Sequence, residues 1–137
     1  MPSRKAETRG KVFDRMDKLC LYFLAYDSYC PAKYRHNLWT PMRLYIDQAQ
    51  ACAEMAYLEY DNRETLSLLR EAKKFFRMFK RYHARCEMTG EFHFGKVHSV
   101  DILELIGTIE DELGKWIAKQ SKLVSNGAVA TSPENHN

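Results

Sequence analysis

The chain has 137 residues, 45% hydrophobic and 28% charged, with a formal net charge of +3. That length suits one domain with its own core. No stretch approaches the roughly 20 apolar residues of a membrane span. The charged start MPSRKAETRGKVFDR lacks the apolar segment of a secretory signal, so a cytoplasmic location and no membrane partner are expected.

The net charge conceals strong segregation. Residues 1–18 hold six basic and three acidic side chains, residues 69–86 seven basic and one acidic, and residues 99–114 five acidic and no basic ones. Such sorting of charge points to an electrostatically addressed partner or to a self-complementary assembly.

Proline falls only at positions 2, 31, 41 and 133, and no alternating run is bounded by hairpin turns. The pattern predicts four helices. Residues 1–11 read as a basic, flexible N-terminal extension, 12–123 as the helical domain and 124–137 as a disordered tail.

The first helix is expected from about Val12 to Tyr29, with Val12, Met16, Leu19, Cys20, Phe23 and Cys30 on one face and Pro31 as its stop. The second is expected to start with Thr40 as N-cap and Pro41 at the first helical position, and to run to about Tyr60. It is apolar on two sides. Met42, Tyr45, Ile46, Ala49, Cys52, Ala53 and Ala56 form one stripe; Leu44, Ala51, Met55 and Leu58 form another. A helix apolar on two faces needs two neighbours, so the second stripe is a candidate oligomer interface.

The third helix, from about Arg63 to Glu87 and stopped at Thr89-Gly90, carries the strongest signal. Its stretch LREAKKFFRMFKRYHAR places Arg70, Lys73, Lys74, Arg77, Lys80, Arg81 and Arg85 on one face, over roughly 140° at ~100° per residue. Leu69, Ala72, Phe75, Phe76 and Phe79 lie on the other face. Like charges one turn apart disfavour the isolated helix by a few tenths of a kcal/mol per pair. A face almost purely cationic and rich in Arg suits phosphate or carboxylate. The seven side chains are therefore the candidate nucleic-acid or partner site.

Phe92 and Phe94 are expected to tuck over one end of the domain. The fourth helix is expected from Ser99 as N-cap, with Ile102, Ile106, Ile109, Leu113, Trp116 and Ile117 inward and Lys115, Lys119 and Lys122 near its C-terminal end. Gly107 and Gly114 each cost about 1 kcal/mol against Ala inside a helix, and a close neighbouring helix would explain them. Short connections favour an antiparallel up-down-up-down four-helix bundle. Tyr22, Tyr26, Tyr29, Tyr34 and Trp39 are expected to serve packing rather than base stacking.

Catalysis finds no motif. No Glu-x-x-His pair, HExxH, GxSxG or P-loop is present. His83 and Cys86 share a helix face, but two ligands do not make a metal site. The expectation is a protein that is not an enzyme, with no cofactor and no metal.

The fourth-helix run ILELIGTIEDELGKWIAKQSK, above all Leu113-Gly114-x-Trp116-Ile117-Ala118, together with Arg77 and Arg81 in FFRMFKRYH, resembles a known family over about residues 14–122. It comprises four-helix bundles that include the accessory variability determinants of diversity-generating retroelements and the proteins of ribosomal-RNA intervening sequences. The resemblance implies a homopentameric barrel of bundles. It also implies a non-catalytic subunit that binds a reverse transcriptase and nucleic acid, RNA or DNA, during mutagenic retrohoming, with Arg77 and Arg81 at matching basic positions. The alternatives are an intervening-sequence-type bundle, or a structural bundle that docks acidic protein surfaces and has no nucleic-acid role.

Overall fold

The computed structural model describes residues 4–94 and 96–131, with side chains over 12–94 and 98–127. The fold is all-α, with no strand among the described residues. It comprises α1 (Arg4–Ala25), α2 (Thr40–Leu58), α3 (Asn62–Thr89) and α4 (Lys96–Thr131). Each helix packs on its chain neighbours, and α1 also meets α4. None of the described helices is long and apolar enough to cross a membrane.

The apolar faces behave as their periodicity requires. Val12, Met16, Leu19 and Phe23 of α1, Met42, Ile46, Ala49, Ala53 and Ala56 of α2, Leu69, Ala72, Phe76 and Phe79 of α3, and Ile102, Ile109, Leu113 and Trp116 of α4 share one buried core. Each fully buried Leu, Ile, Met or Phe side chain contributes about 1.5–3 kcal/mol. Cys20, Tyr45, Cys52, Phe75 and Ile117 stand half-buried at its edges.

The pairs that join the helices run in opposite numerical order. Between α1 and α2, Phe13 meets Tyr57, the Cys20 thiol donates to Asp47, and Phe23 meets Trp39. Between α1 and α4, Arg15 pairs with Glu112, Tyr22 donates to Asp101, and Tyr26 pairs with His98. Buried Gln120 of α4 donates to both the backbone and side-chain oxygens of Asn62 at 3.0 Å, which pins α4 to the turn between α2 and α3.

Helix ends depart from expectation in five places, one of them the end of α1, which stops at Ala25 rather than near Tyr29 and gives way to a 3-10 turn over Asp27–Tyr29. Winding in α1 begins at Arg4, inside the expected extension, and α4 continues to Thr131, past position 124. A helix already nucleated on the core adds residues far more cheaply than a new one starts. Residues 1–3 and 132–137 lie outside the described residues, as do the side chains of the remaining extension. Lys115, Lys119 and Lys122 consequently sit within α4, not at its end.

Thr40 is not an N-cap. The backbone is already helical at Trp39, and a widened π-turn over Arg35–Trp39 leads into α2, with the Thr40 amide donating to the Arg35 carbonyl. Pro41 lacks an amide hydrogen and crowds the carbonyl four residues back; the widened turn relieves both. Ser99 likewise lies inside α4, whose added first turn is held through His98 against Tyr22 and Tyr26. By contrast, α3 ends at Gly90, in the left-handed conformation at φ +69°, and starts on Asp61, which accepts from the Arg63 amide at 3.2 Å.

The connector between α1 and α2 is densely wired. Trp39 is buried and donates from Nε1 to Asp27 at 2.7 Å, while Arg35 and Arg43 also bond Asp27. Trp39 stacks on Phe92 and Phe94, and Tyr34 on Phe92. The Tyr34 hydroxyl and Lys33 both meet Glu91. Phe92 and Phe94 thus close this end of the core, and Tyr34 and Trp39 serve packing, whereas Tyr29 is 67% exposed.

Candidate nucleic-acid interface

The inward face of α3 is fixed by Leu66, Leu69, Ala72, Phe76, Phe79, His83 and Cys86, all buried. With that face committed, helical geometry turns the cations outward. Arg70, Lys73, Lys74, Arg77, Arg81 and Arg85 are exposed, and Lys80 is half-buried.

The seven are not equivalent. Lys80 leans to α4 and pairs with Glu110. Lys74 pairs with Glu71, one turn before it, at 3.0 Å. The Arg85 guanidinium lies 4.8 Å from the centre of the Tyr82 ring. Among the described residues, Arg70, Lys73, Arg77 and Arg81 form no ion pair. Lys73 and Arg77 line a shallow cleft whose other wall is Glu110, Leu113 and Gly114 of α4, so one acidic group borders the basic face without cancelling it.

The acidic segment of α4 is largely engaged within the chain. Glu110 meets Lys80, Glu112 meets Arg15, Asp111 meets Lys115 at 3.1 Å, and Asp101 accepts from Tyr22. Glu104 forms no such pair among the described residues. On the positive face of α3, Lys74 and Lys80 are paired, while Arg70, Lys73, Arg77 and Arg81 have no ion partner among the described residues.

The second stripe of α2 faces away from the core. Leu44, Met55 and Leu58 are 52%, 56% and 65% exposed, and Ala51 is exposed with them. Nothing among the described residues covers it. A Cβ built on Gly107 or Gly114 would meet nothing within 4 Å. Within one chain these glycines therefore serve no close helix approach, contrary to expectation, because they lie on the solvent side of the contact between α3 and α4.

Other reactive groups are quiet. Burial holds the His83 imidazole down at about 4 and hence neutral; its Nε2 lies 3.4 Å from a Glu87 oxygen without a hydrogen bond. Burial, seconded by Asp47, pushes the Cys20 thiol up to about 12, and burial does the same to Cys86, so neither is a ready nucleophile. No group of three or more metal-ligating side chains occurs among the described residues.

Periodicity revealed the cations but not their aromatic neighbours. Tyr45 of α2 inserts between Phe75 and Tyr82 of α3 along the flank of the basic face. Only the register of α2 against α3 brings these rings together, and no local spacing announces it. No protein-family model, curated protein or solved structure matches the chain.

Proposed function

We propose that the protein is a non-catalytic nucleic-acid-binding subunit, built as an antiparallel up-down-up-down four-helix bundle, whose basic α3 face binds RNA or DNA. The observation that carries this reading is the exposed row Arg70, Lys73, Arg77 and Arg81, which has no ion-pair partner among the described residues. Four unpaired cations on one rigid helix suit a phosphate backbone, which several Lys and Arg side chains neutralise with little regard to base identity. The opposite numerical order of the pairs joining neighbouring helices supports the bundle topology. The resemblance in α3 and α4 extends the proposal to an accessory subunit of a diversity-generating retroelement, with a reverse transcriptase as its protein partner. The uncovered Leu44, Ala51, Met55 and Leu58 stripe is then the contact of a homo-oligomer, a pentamer by that resemblance.

The test is size-exclusion chromatography with light scattering, with and without a structured RNA, at low and high salt. A salt-resistant oligomer that takes up RNA only at low salt is expected. Arg77→Ala with Arg81→Ala should abolish uptake while leaving the helical signal intact. Failure to bind RNA at about 50 mM salt would overturn the reading, since phosphate contacts are strongest there.

A further inference from the structure

The flank of the basic face that borders α2 is aromatic, and its rings are ordered. Tyr45 stacks between Phe75 and Tyr82, with ring centres 6.4 and 5.6 Å away and planes inclined by 30° and 29°. A cation caps each end of this column. The Lys74 ammonium lies 5.5 Å from the centre of Phe75, and the Arg85 guanidinium 4.8 Å from that of Tyr82. All three rings are half-buried, so the column is anchored in the seam yet reaches the surface. Neither the Tyr45 nor the Tyr82 hydroxyl has a hydrogen-bond partner among the described residues.

A face that served phosphate alone needs no aromatic flank. A duplex keeps its bases stacked inside and offers a protein its phosphates, whereas a single strand also offers free π-faces. Bases stack on aromatic rings and equally on Arg planes. Arg85 supplies such a plane, with its guanidinium carbon over the Tyr82 ring and its side chain exposed to solvent. Arg81, beside Tyr82 in sequence, and Arg85 are one helical turn apart, about 6 Å in rise. A cation without an ion-pair partner therefore adjoins the stacking end.

We propose that the seam between α2 and α3 is a single-strand site, in which a base stacks at the Arg85 end of the Tyr82–Tyr45–Phe75 column while neighbouring phosphates lie on Arg77 and Arg81. This rests on the nucleic-acid reading above and specifies its ligand as unpaired RNA or DNA. The column acts as a platform indifferent to base identity, because every base has a π-face.

Fluorescence anisotropy with labelled single-stranded RNA, single-stranded DNA and a duplex, each about 12 nucleotides long, tests it on the full chain. The wild type should favour the single strands over the duplex. Tyr82→Leu keeps an apolar group in the seam but removes the ring; it should cut the ratio of single-strand to duplex affinity by about 5- to 160-fold, the range for one lost base stack. Arg85→Lys keeps the charge, removes the plane and lies on the surface, so it tests the same ratio should Tyr82→Leu fold poorly. Tighter binding of RNA or of DNA identifies the strand, and either supports the site. Salt-sensitive binding with an unchanged ratio in both variants overturns this inference alone. No binding of any probe overturns the nucleic-acid reading and this site with it.

Discussion

At the connector end, Asp27 accepts from Trp39, Arg35 and Arg43, and the rings of Tyr34, Trp39, Phe92 and Phe94 lie against one another. On the outer face of α3, Arg70, Lys73, Arg77 and Arg81 have no ion partner among the described residues, and the flanking rings Phe75 and Tyr82 stack on Tyr45. The first region spends its polar groups on its own architecture. Removing the Asp27 carboxylate leaves the buried Trp39 indole N–H unsatisfied, at about 1–3 kcal/mol. The second contributes little to folding and holds its charge available for another molecule. The contrast separates two groups of arginine: Arg35 and Arg43, wired to Asp27, are structural, and Arg70, Arg77 and Arg81, without an ion partner among the described residues, are the candidates for binding.

The contrast breaks hardest at Trp39. Trp39→Ala removes a buried ring stacked on Phe92 and Phe94 and should cost about 3–5 kcal/mol in urea unfolding. A loss below about 1 kcal/mol would mean this end is not the structural region.

Acid should weaken the same end next. His83, buried between Phe23 and Phe79, is held near 4 in the folded chain against an ordinary 6.5. The unfolded chain therefore binds a proton that the folded one refuses between those values. Stability is full above pH 6.5 and falls as pH drops toward 4, by about 2–3 kcal/mol at 1.36 kcal/mol per unit. His83→Leu should flatten the curve across that window. Asp27 acts further down. Its carboxyl is lowered by the Trp39 hydrogen bond and then by Arg35, against its burial. Its contribution is present above the ordinary value of 3.8 and is lost as pH falls through the lower folded value.

Gly114→Ala moves the other way. The added methyl meets nothing within 4 Å, and a helix interior favours Ala by about 1 kcal/mol, so the melting temperature of the single chain should rise. A fall accompanied by loss of the oligomer would place a neighbouring subunit on that flank. Smallest in stability is Arg77→Ala with Arg81→Ala. Both are exposed and unpaired, and their removal should shift unfolding by no more than about 0.5 kcal/mol while eliminating nucleic-acid binding. A large loss of stability would erase the distinction between the two regions.

Four helices, their inward faces, the stop at Gly90 and the outward row from Arg70 to Arg85 were legible from the chain alone. A helix maps sequence spacing directly onto its faces, so local periodicity suffices. Helix ends were legible only where a side chain or a left-handed glycine decides them locally, as at Gly90. They were misread at Thr40 and Ser99, where contacts made by Trp39 and His98 extend the winding. Tertiary structure alone decided that Tyr45 stands between Phe75 and Tyr82, that Gln120 grips Asn62, that Lys80 is taken by Glu110 while Arg77 is not, and that Gly107 and Gly114 face open space. Each depends on the register of one helix against another. The partners are separated by tens of residues, 58 for Gln120 and Asn62, and no local pattern encodes such a distance.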